Sequence, residues 1–311
     1  MTRAYIGLIL VCFLTLSSLR GADSVAISVR TVSLAHDFSG QPIPRFANKF
    51  FASTDAKRGR VQVWDANSTS VANYALQLPG VASVVISSIA VATDGSVAVA
   101  TGAFDANGRS APVIAWLTRS GELVRVVTTA PFAPRHIAFA KDDSLWAAGR
   151  EYDSAREDRP DYNVIRHYDT NGRLAGSALS RSLFSPGKVG PANDSFLTVA
   201  DARIAMASVT AGEWVELDQT GRLLGRWPLS MPANSFPTGV ALLANGDFIA
   251  SFETTDLGRL FKYDRGQSKW EIVDSSQLQN RQQGLVVIGA DGNSVVGRVK
   301  PPATLQWITF R

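Results

Sequence analysis

The chain has 311 residues, of which 45% are apolar and 19% charged, and this balance excludes an intrinsically disordered protein. Without its first 22 residues, which contain Arg3 and Arg20, the chain keeps 29 of its 31 basic residues against 27 acidic ones. It contains no run of five or more like charges. The composition therefore argues against a nucleic-acid partner.

The first 22 residues differ in kind from the rest. Arg3 precedes an apolar stretch from Tyr5 to Leu16, and the small or polar residues of Ser17–Ser18 and Gly21–Ala22 follow. This order is typical of a secretory signal peptide and is short for a membrane span, although an uncleaved anchor is the alternative. We therefore expect the protein to be secreted or periplasmic, with no membrane association beyond the export signal.

The only cysteine, Cys12, lies inside this export segment. The mature chain could therefore form no disulfide bond, so its stability must come from a hydrophobic core. A cysteine-free exported chain of this size fits a bacterial envelope.

The remaining sequence, residues 23–311, is a succession of short β-strand patterns. An isolated apolar run comes first, and from residue 89 onward two apolar runs separated by a tight turn recur. The runs and copies are, in chain order, Val25–Val32, Phe50–Ala52, Val61–Trp64, Ile89–Ala100, Ile137–Ala148, Val240–Phe252 and Leu285–Val296. Their turns contain Asp-Gly, Asp-Asp or Asn-Gly, which predict β-hairpins because such turns require positive φ angles.

A second hairpin pattern alternates with the first, and its turn glycines reveal the length of the repeat. Gly121, Gly172, Gly221 and Gly266 are spaced 51, 49 and 45 residues apart. Two hairpins per repeat give four strands, which is the blade of a β-propeller. Helical spacing is nowhere sustained, so we predict an all-β fold. Dividing about 289 mature residues by about 48 per repeat predicts six blades, and seven blades are the alternative.

The two ends of the chain are predicted to complete one blade together. Only one strand, Thr304–Phe310, follows the last hairpin, so Val25–Val32 is expected to be the outer strand of the last blade. In the fourth blade the inner hairpin could turn at residues 193–194 or at 201–203. We favour the second, because Phe196–Ala200 can then pair with Ile204–Ser208.

Two segments resemble repeats of the NHL class of six-bladed propellers. They are Pro134–Phe139 with Asp142–Trp146, and Pro237–Leu242 with Asn245–Ile249. Each has a proline, two further residues, an apolar strand, an Asp or Asn turn and a second apolar strand. Glu253 occupies the closing acidic position of that pattern, where Arg150 and Gly102 stand in other blades. The resemblance implies a fold, and no activity.

In such a fold, the residues before each inner strand and those after each second strand open on one face of the propeller. We predict this face to bind ligands, because rigid strands hold variable loops there. The candidate residues are Asp55, Arg135, His136, Arg150, Glu151, Tyr152, Glu253 and Gln283, with Ser87, Ser88, Thr238, Gly239 and Gln282 at equivalent places. Ion pairs that close the channel mouth are the alternative interpretation.

The insertion from Arg150 to Tyr162 is long and densely charged, and it has the composition of a recognition loop. A solvated insertion without a partner is the alternative. Four tryptophans recur in or near third strands, and we interpret them as packing between blades. They are Trp64, Trp116, Trp214 and Trp307.

Catalytic patterns are weak in this sequence. Outside the export segment there are only three histidines, His36, His136 and His167, which argues against a three-histidine zinc site. No catalytic residue, metal ligand or cofactor is therefore assigned, although a divalent cation such as calcium would suit lactonase-like propellers. We predict an exported, monomeric, non-catalytic propeller that binds a protein or a small polar ligand. The alternative is a metal-dependent hydrolase or lactonase.

Overall fold

The computed structural model describes residues 27–33, 45–47, 49–55, 59–67, 69–152, 159–184, 191–192, 194–231, 235–253, 259–273, 284–299 and 304–310. The predicted export segment, residues 1–22, lies outside these ranges. Twenty-four strands fill the described chain, and its one short helical turn is Arg181–Leu183. In the described ranges, no helix has the length and apolar character needed to cross a membrane.

The strands form six four-stranded antiparallel blades, which confirms the predicted six-bladed β-propeller. Blade 1 contains β2 (Arg45–Ala47), β3 (Phe50–Asp55), β4 (Arg60–Asp65) and β5 (Ser70–Ala75). Blade 2 contains β6 (Ser83–Val91), β7 (Val97–Phe104), β8 (Ser110–Leu117) and β9 (Leu123–Thr128). Blade 3 contains β10 (Phe132–Phe139), β11 (Leu145–Glu151), β12 (Asn163–Tyr168) and β13 (Leu174–Ser180).

Blade 4 contains β14 (Ser195–Ala200), β15 (Arg203–Ser208), β16 (Glu213–Asp218) and β17 (Leu223–Pro228). Blade 5 contains β18 (Phe236–Leu242), β19 (Phe248–Glu253), β20 (Arg259–Asp264) and β21 (Lys269–Ile272). Blade 6 contains β22 (Leu285–Asp291), β23 (Ser294–Val299), β24 (Thr304–Phe310) and β1 (Ile27–Ser33). The favoured turn of blade 4 is confirmed, because Ala200 pairs with Arg203.

Blade 6 is closed by the two ends of the chain, as the sequence predicts. β1 pairs with β24 along its whole length, from Ile27 opposite Phe310 to Ser33 opposite Thr304. Blades 1 and 6 are also joined at the hub, where Phe46 of β2 lies parallel to Gly289 of β22. The ring is therefore closed in two ways: blade 6 contains strands from both ends of the described chain, and a backbone bridge joins β2 to β22.

Six clusters of buried apolar side chains hold the blades together, one between each pair of neighbours. Trp64 and Trp307 lie in the cluster between blades 1 and 6, Trp116 lies between blades 2 and 3, and Trp214 lies between blades 4 and 5. All four are buried. The interpretation of these tryptophans as packing between blades is confirmed.

The turns between third and outer strands follow from their sequence. Asp169 and Asp218 each accept hydrogen bonds from the backbone N–H groups two and four residues further along the chain. Gly172 and Gly221 have φ angles of +72° and +85°, which glycine adopts without strain. The recurring Asp-x-x-Gly pattern thus supplies both the acceptor and the flexible residue that the turn needs.

At the hub, blades approach each other closely enough to exchange hydrogen bonds. Three buried hydroxyls each accept a backbone N–H from the next blade: Ser88 from Ile137 at 3.1 Å, Thr198 from Leu242 at 3.2 Å and Ser251 from Val287 at 2.9 Å. Gly239 permits the closest approach, since a Cβ there would lie 1.9 Å from the carbonyl oxygen of Val287.

Candidate ligand-binding site

Strand register places the predicted positions at the ends of the second strands of blades 2, 3 and 5 on one face of the propeller. Ala133, at the start of β10, lies opposite Arg150 at the end of β11, and Phe236 lies opposite Glu253 in the same way in blade 5. In blade 2, Val85 takes the place of Ala133 and faces Gly102. Gly102, Arg150 and Glu253 are therefore structurally equivalent, as the repeat pattern indicates. We call this side of the propeller the loop face.

A one-residue β-bulge in the inner strand shapes this face. The bulges lie between Ile86 and Ser88, between Pro134 and His136, and between Pro237 and Gly239. The extra residues in these three blades are Ser87, Arg135 and Thr238. A bulge turns the side chain of the extra residue out of the regular alternation, which is a recurring device beside binding sites.

The loop face contains a cavity of about 680 Å³ at the boundary between blades 2 and 3. Its lining is apolar (Val85, Phe104, Pro112, Pro131, Pro134, with small residues), hydroxylic (Ser87, Thr101, Ser110) and cationic or phenolic (Arg135, Arg150, Tyr152). This size lies within the range of about 300 to 1,000 Å³ that small-molecule sites occupy. Four of the predicted ligand-binding residues, Ser87, Arg135, Arg150 and Tyr152, thus line one concave site.

Tyr152 joins the two arginines of the cavity. The Nη2 of Arg135 donates a hydrogen bond to the Tyr152 hydroxyl at 3.0 Å. The guanidinium carbon of Arg150 lies 4.3 Å from the centroid of the Tyr152 ring, a cation–π arrangement. The two positive groups are therefore held on one side chain, one at its hydroxyl and one at its ring.

Glu151 lies outside the cavity, although it stands between two residues that line it. Successive side chains of a strand point to opposite faces, so Glu151 points away from Arg150 and Tyr152. Its carboxylate oxygens lie 2.5 Å from the Nη2 of Arg166 and 3.5 Å from the Nη1 of Arg159. Its negative charge is therefore committed to cations outside the cavity.

Glu151 also anchors the base of the charged insertion, residues 150–162. The backbone N–H of Arg159 donates to the carbonyl oxygen of Glu151 at 2.9 Å, so the chain leaves and returns at one point. Tyr162, the last residue of the predicted recognition loop, is buried in the cluster between blades 3 and 4. Residues 153–158 of the insertion lie outside the described residues.

Among the described residues, the other predicted positions do not line this cavity. His136 packs against Phe196 of blade 4, with ring centroids 6.2 Å apart. Glu253 is exposed at the end of β19, and Asp55 ends β3 opposite Arg60. Gln282 and Gln283 lie outside the described residues. The structure leaves the proposed roles of these residues as predictions.

Ser87 and Ser88 connect the wall of the cavity to the next blade. The Ser87 hydroxyl lies 3.0 Å from the carbonyl oxygen of Pro134 and 3.1 Å from that of Ala100. Ser88 accepts the N–H of Ile137 at the hub. These hydroxyls hold blades 2 and 3 at a fixed spacing, which makes the cavity between them a preformed one.

The opposite end of the propeller has a second cavity, of about 310 Å³, on the central axis. The inner strands of blades 2 to 6 line it with mainly small and aliphatic residues and with Phe139, and Thr93, Lys141 and Asp201, which follow three of these strands, line it too. In the described part of the chain, no three His, Cys, Asp or Glu side chains are grouped so that they could hold a metal ion.

On the blade 2 wall of the loop-face cavity, the sequence patterns identify Ser87 and do not identify the apolar residues Val85, Phe104 and Pro112. Their signal is visible only in the structure, where the apolar side chain of Val85 is 55% exposed. An apolar residue facing solvent beside a concave surface is more informative than one on a flat surface.

No protein-family model and no curated protein matches the sequence. Solved structures match over most of the chain. A Bacteroides fragilis protein designated as exported is 10% identical, covers 93% of this chain and 98% of its own, and has a TM-score of 0.56. A luciferin-regenerating enzyme is 10% identical, covers 91% and 95%, and has a TM-score of 0.56.

A gluconolactonase of Xanthomonas campestris is 11% identical, covers 93% of this chain and 91% of its own, and has a TM-score of 0.52. At these identities the similarity shows the propeller fold alone.

Proposed function

We propose that the protein is an exported, non-catalytic propeller that binds a protein or a small polar ligand on its loop face, at the cavity between blades 2 and 3. The observation that carries the proposal is the meeting of Arg135, Arg150 and Tyr152 in a preformed cavity. Sites of this kind combine apolar walls with a few convergent polar groups, and the cavity has both.

Export is supported by the signal-peptide pattern of the first 22 residues and by a fold neighbour designated as exported. Binding is favoured over catalysis by the chemistry of the cavity. Its described lining supplies cations, hydroxyls and a phenol, and among those residues there is neither a carboxylate nor an imidazole. Carboxylates and imidazoles are the commonest general acids and bases of hydrolytic sites.

The test is a thermal-shift panel on the purified mature protein with glucose, glutamate, gluconate, phenylacetate and phenylacetamide. Gly102 lines the cavity, and a Cβ there would meet only the Phe104 ring, at 3.5 Å, which is ordinary contact. The Gly102→Leu variant therefore places a side chain in the cavity at little cost to the fold. We expect at least one compound to raise the melting temperature of the wild type and to leave that of Gly102→Leu unchanged.

A variant of the charged insertion, residues 150–162, tests whether this loop contributes to ligand binding. Replacing residues 153–158 with a Gly-Ser linker keeps Tyr152 in the cavity and Tyr162 in the core. We expect weaker binding of the same compound with an unchanged melting temperature of the free protein. A panel in which no compound shifts the wild type, or in which Gly102→Leu responds equally, contradicts binding at this cavity.

The second candidate is a metal-dependent hydrolase or lactonase, favoured by the gluconolactonase among the fold neighbours. It predicts a stoichiometric, chelator-sensitive divalent cation in the purified protein and hydrolysis of gluconolactone that chelation abolishes. Elemental analysis of the mature protein and a lactone assay with and without EDTA distinguish it from the binding role.

A further inference from the structure

We infer that the ligand of the loop-face cavity is a small organic carboxylate with an apolar body, and this inference rests on the proposed function. The carboxylate would lie between Arg135 and Arg150, and the apolar body would lie against Val85, Phe104 and Pro112. Four observations on the described residues carry the assignment.

The first is charge. Arg135 and Arg150 bring two positive charges to one cavity, and its described lining contains no Asp or Glu. Glu151, the carboxylate nearest in sequence, does not line the cavity and is paired with Arg166 and Arg159. Two cations that share a partly desolvated site attract an anion more strongly than they would in water.

The second is the hydrogen-bonding capacity of Arg135. A guanidinium has five N–H donors in a planar fork, and the Tyr152 hydroxyl accepts one of those of Arg135. The Nε–H of Arg135 is buried and has no acceptor among the described residues. The Nη groups of Arg135 can donate further hydrogen bonds to a ligand in the cavity, and a carboxylate offers two oxygens in a geometry that matches the guanidinium fork.

The third is the state of the Tyr152 hydroxyl. It accepts a hydrogen bond from Arg135, so its own proton remains available to a second acceptor. The Arg150 guanidinium, which lies over the ring of the same tyrosine, faces the cavity together with it. Arg135 and Tyr152 can therefore both donate to one anion, beside the positive charge of Arg150.

The fourth is the apolar wall. Val85 and Phe104 come from blade 2 and lie across the cavity from the arginines of blade 3. A fully hydrated inorganic anion would leave this wall in contact with water. A ligand with an aromatic or aliphatic body covers it, and burial of that apolar area adds to the affinity.

The experiment uses three probes that distinguish the contribution of a ligand's negative charge to binding from that of its apolar body. Phenylacetate and phenylacetamide have the same size and differ in charge, and inorganic phosphate is an anion without an apolar body. Isothermal titration calorimetry on the mature protein, to about 10 mM probe, reaches the weak affinities expected of such small molecules. We expect phenylacetate to bind at least about tenfold more tightly than phenylacetamide and phosphate, because charge-assisted hydrogen bonds are the strong ones.

Single substitutions test whether each of the two arginines contributes to binding of the carboxylate. Arg135→Gln and Arg150→Gln should each weaken the binding of phenylacetate at least about tenfold and leave the affinity for phenylacetamide nearly unchanged. Arg173→Gln is the control, because Arg173 is an exposed arginine of the same blade that does not line the cavity. It should leave all three probes unaffected.

The outcomes distinguish this inference from the proposed function. If phenylacetamide or glucose binds as well as phenylacetate and Gly102→Leu abolishes that binding, the cavity is a binding site and the carboxylate assignment is wrong. If phosphate binds more tightly than phenylacetate, the site takes an inorganic or phosphoryl anion and the assignment is again wrong. Failure of phenylacetate to bind at all overturns the assignment, and the full panel then decides the proposed function separately.

Discussion

Substitution of Gly239 by alanine tests how closely the inner strands of blades 5 and 6 approach at the hub. The added Cβ would lie 1.9 Å from the carbonyl oxygen of Val287, and Cβ contacts below 3.0 Å are essentially never seen. The neighbour is backbone, so β18 and β22 would have to separate by about 1 Å, and overpacking of this kind costs about 1–3 kcal/mol. The same separation strains the 2.9 Å bond from the Val287 N–H to Ser251, and a buried donor without a partner costs about 1–3 kcal/mol more.

We therefore expect Gly239→Ala to lower the free energy of unfolding by about 2–6 kcal/mol. Urea denaturation followed by tryptophan fluorescence measures it, and the midpoint should fall by about 1 M. Gly176→Ala is the matched control, since a Cβ there would meet no atom within 4 Å. The control should stay within about 0.5 kcal/mol of the wild type or become slightly more stable. Equal midpoints for both variants would refute the close approach.

Two further predictions concern pH. Burial is the largest cause that lowers the pKa of His167, which stacks on Trp146 at 4.3 Å, so the folded state takes up its proton less readily than the unfolded one. Its contribution to stability is complete above about pH 6.5 and is lost as the pH falls below that value, and urea midpoints of His167→Phe should vary less than those of the wild type between pH 7 and 5. The side-chain hydrogen bond from Thr220 is the largest cause that lowers the pKa of Asp218 to about 2. The stabilisation by Asp218 is thus present above about pH 4 and is lost towards pH 2, so the difference in midpoint between Asp218→Ala and the wild type should shrink over that interval, and a constant difference would contradict it.

The fold could be predicted from the sequence because its signals are local and repeated. Turn glycines such as Gly172 and Gly221 mark the hairpins. The two strands of each hairpin can be predicted from the residues beside its turn, without knowledge of the surrounding structure. The closure of blade 6 followed from simple accounting, since one strand was left over at each end of the chain. β1 and β24 do pair with each other.

The candidate site could be predicted in part. Arg135 and Arg150 can be predicted as site residues because equivalent strand ends of successive blades lie on one face of a propeller. The pairing of Ala133 with Arg150 confirms that geometry in blade 3. Phe104 belongs to another blade, and no local pattern shows that it faces these arginines, because the contact depends on how two sheets pack. Glu151 could have been set apart from Arg150 by strand alternation, but its partner Arg166 is known only from the structure.

The pairing of β1 with β24 has a consequence for how the protein acquires its fold. Among the described strands, β1 comes first in the chain and β24 comes last, so a chain that emerges from its amino end cannot finish its ring until β24 has been made. Until then β1 and β23 lack the neighbour that β24 provides, and their rows of unpaired N–H and C=O groups are open to association with other chains. Contacts between such distant parts of a sequence also form slowly. The seam that closes the ring is therefore the place where we expect a chaperone, or a second unfinished chain, to compete with correct folding.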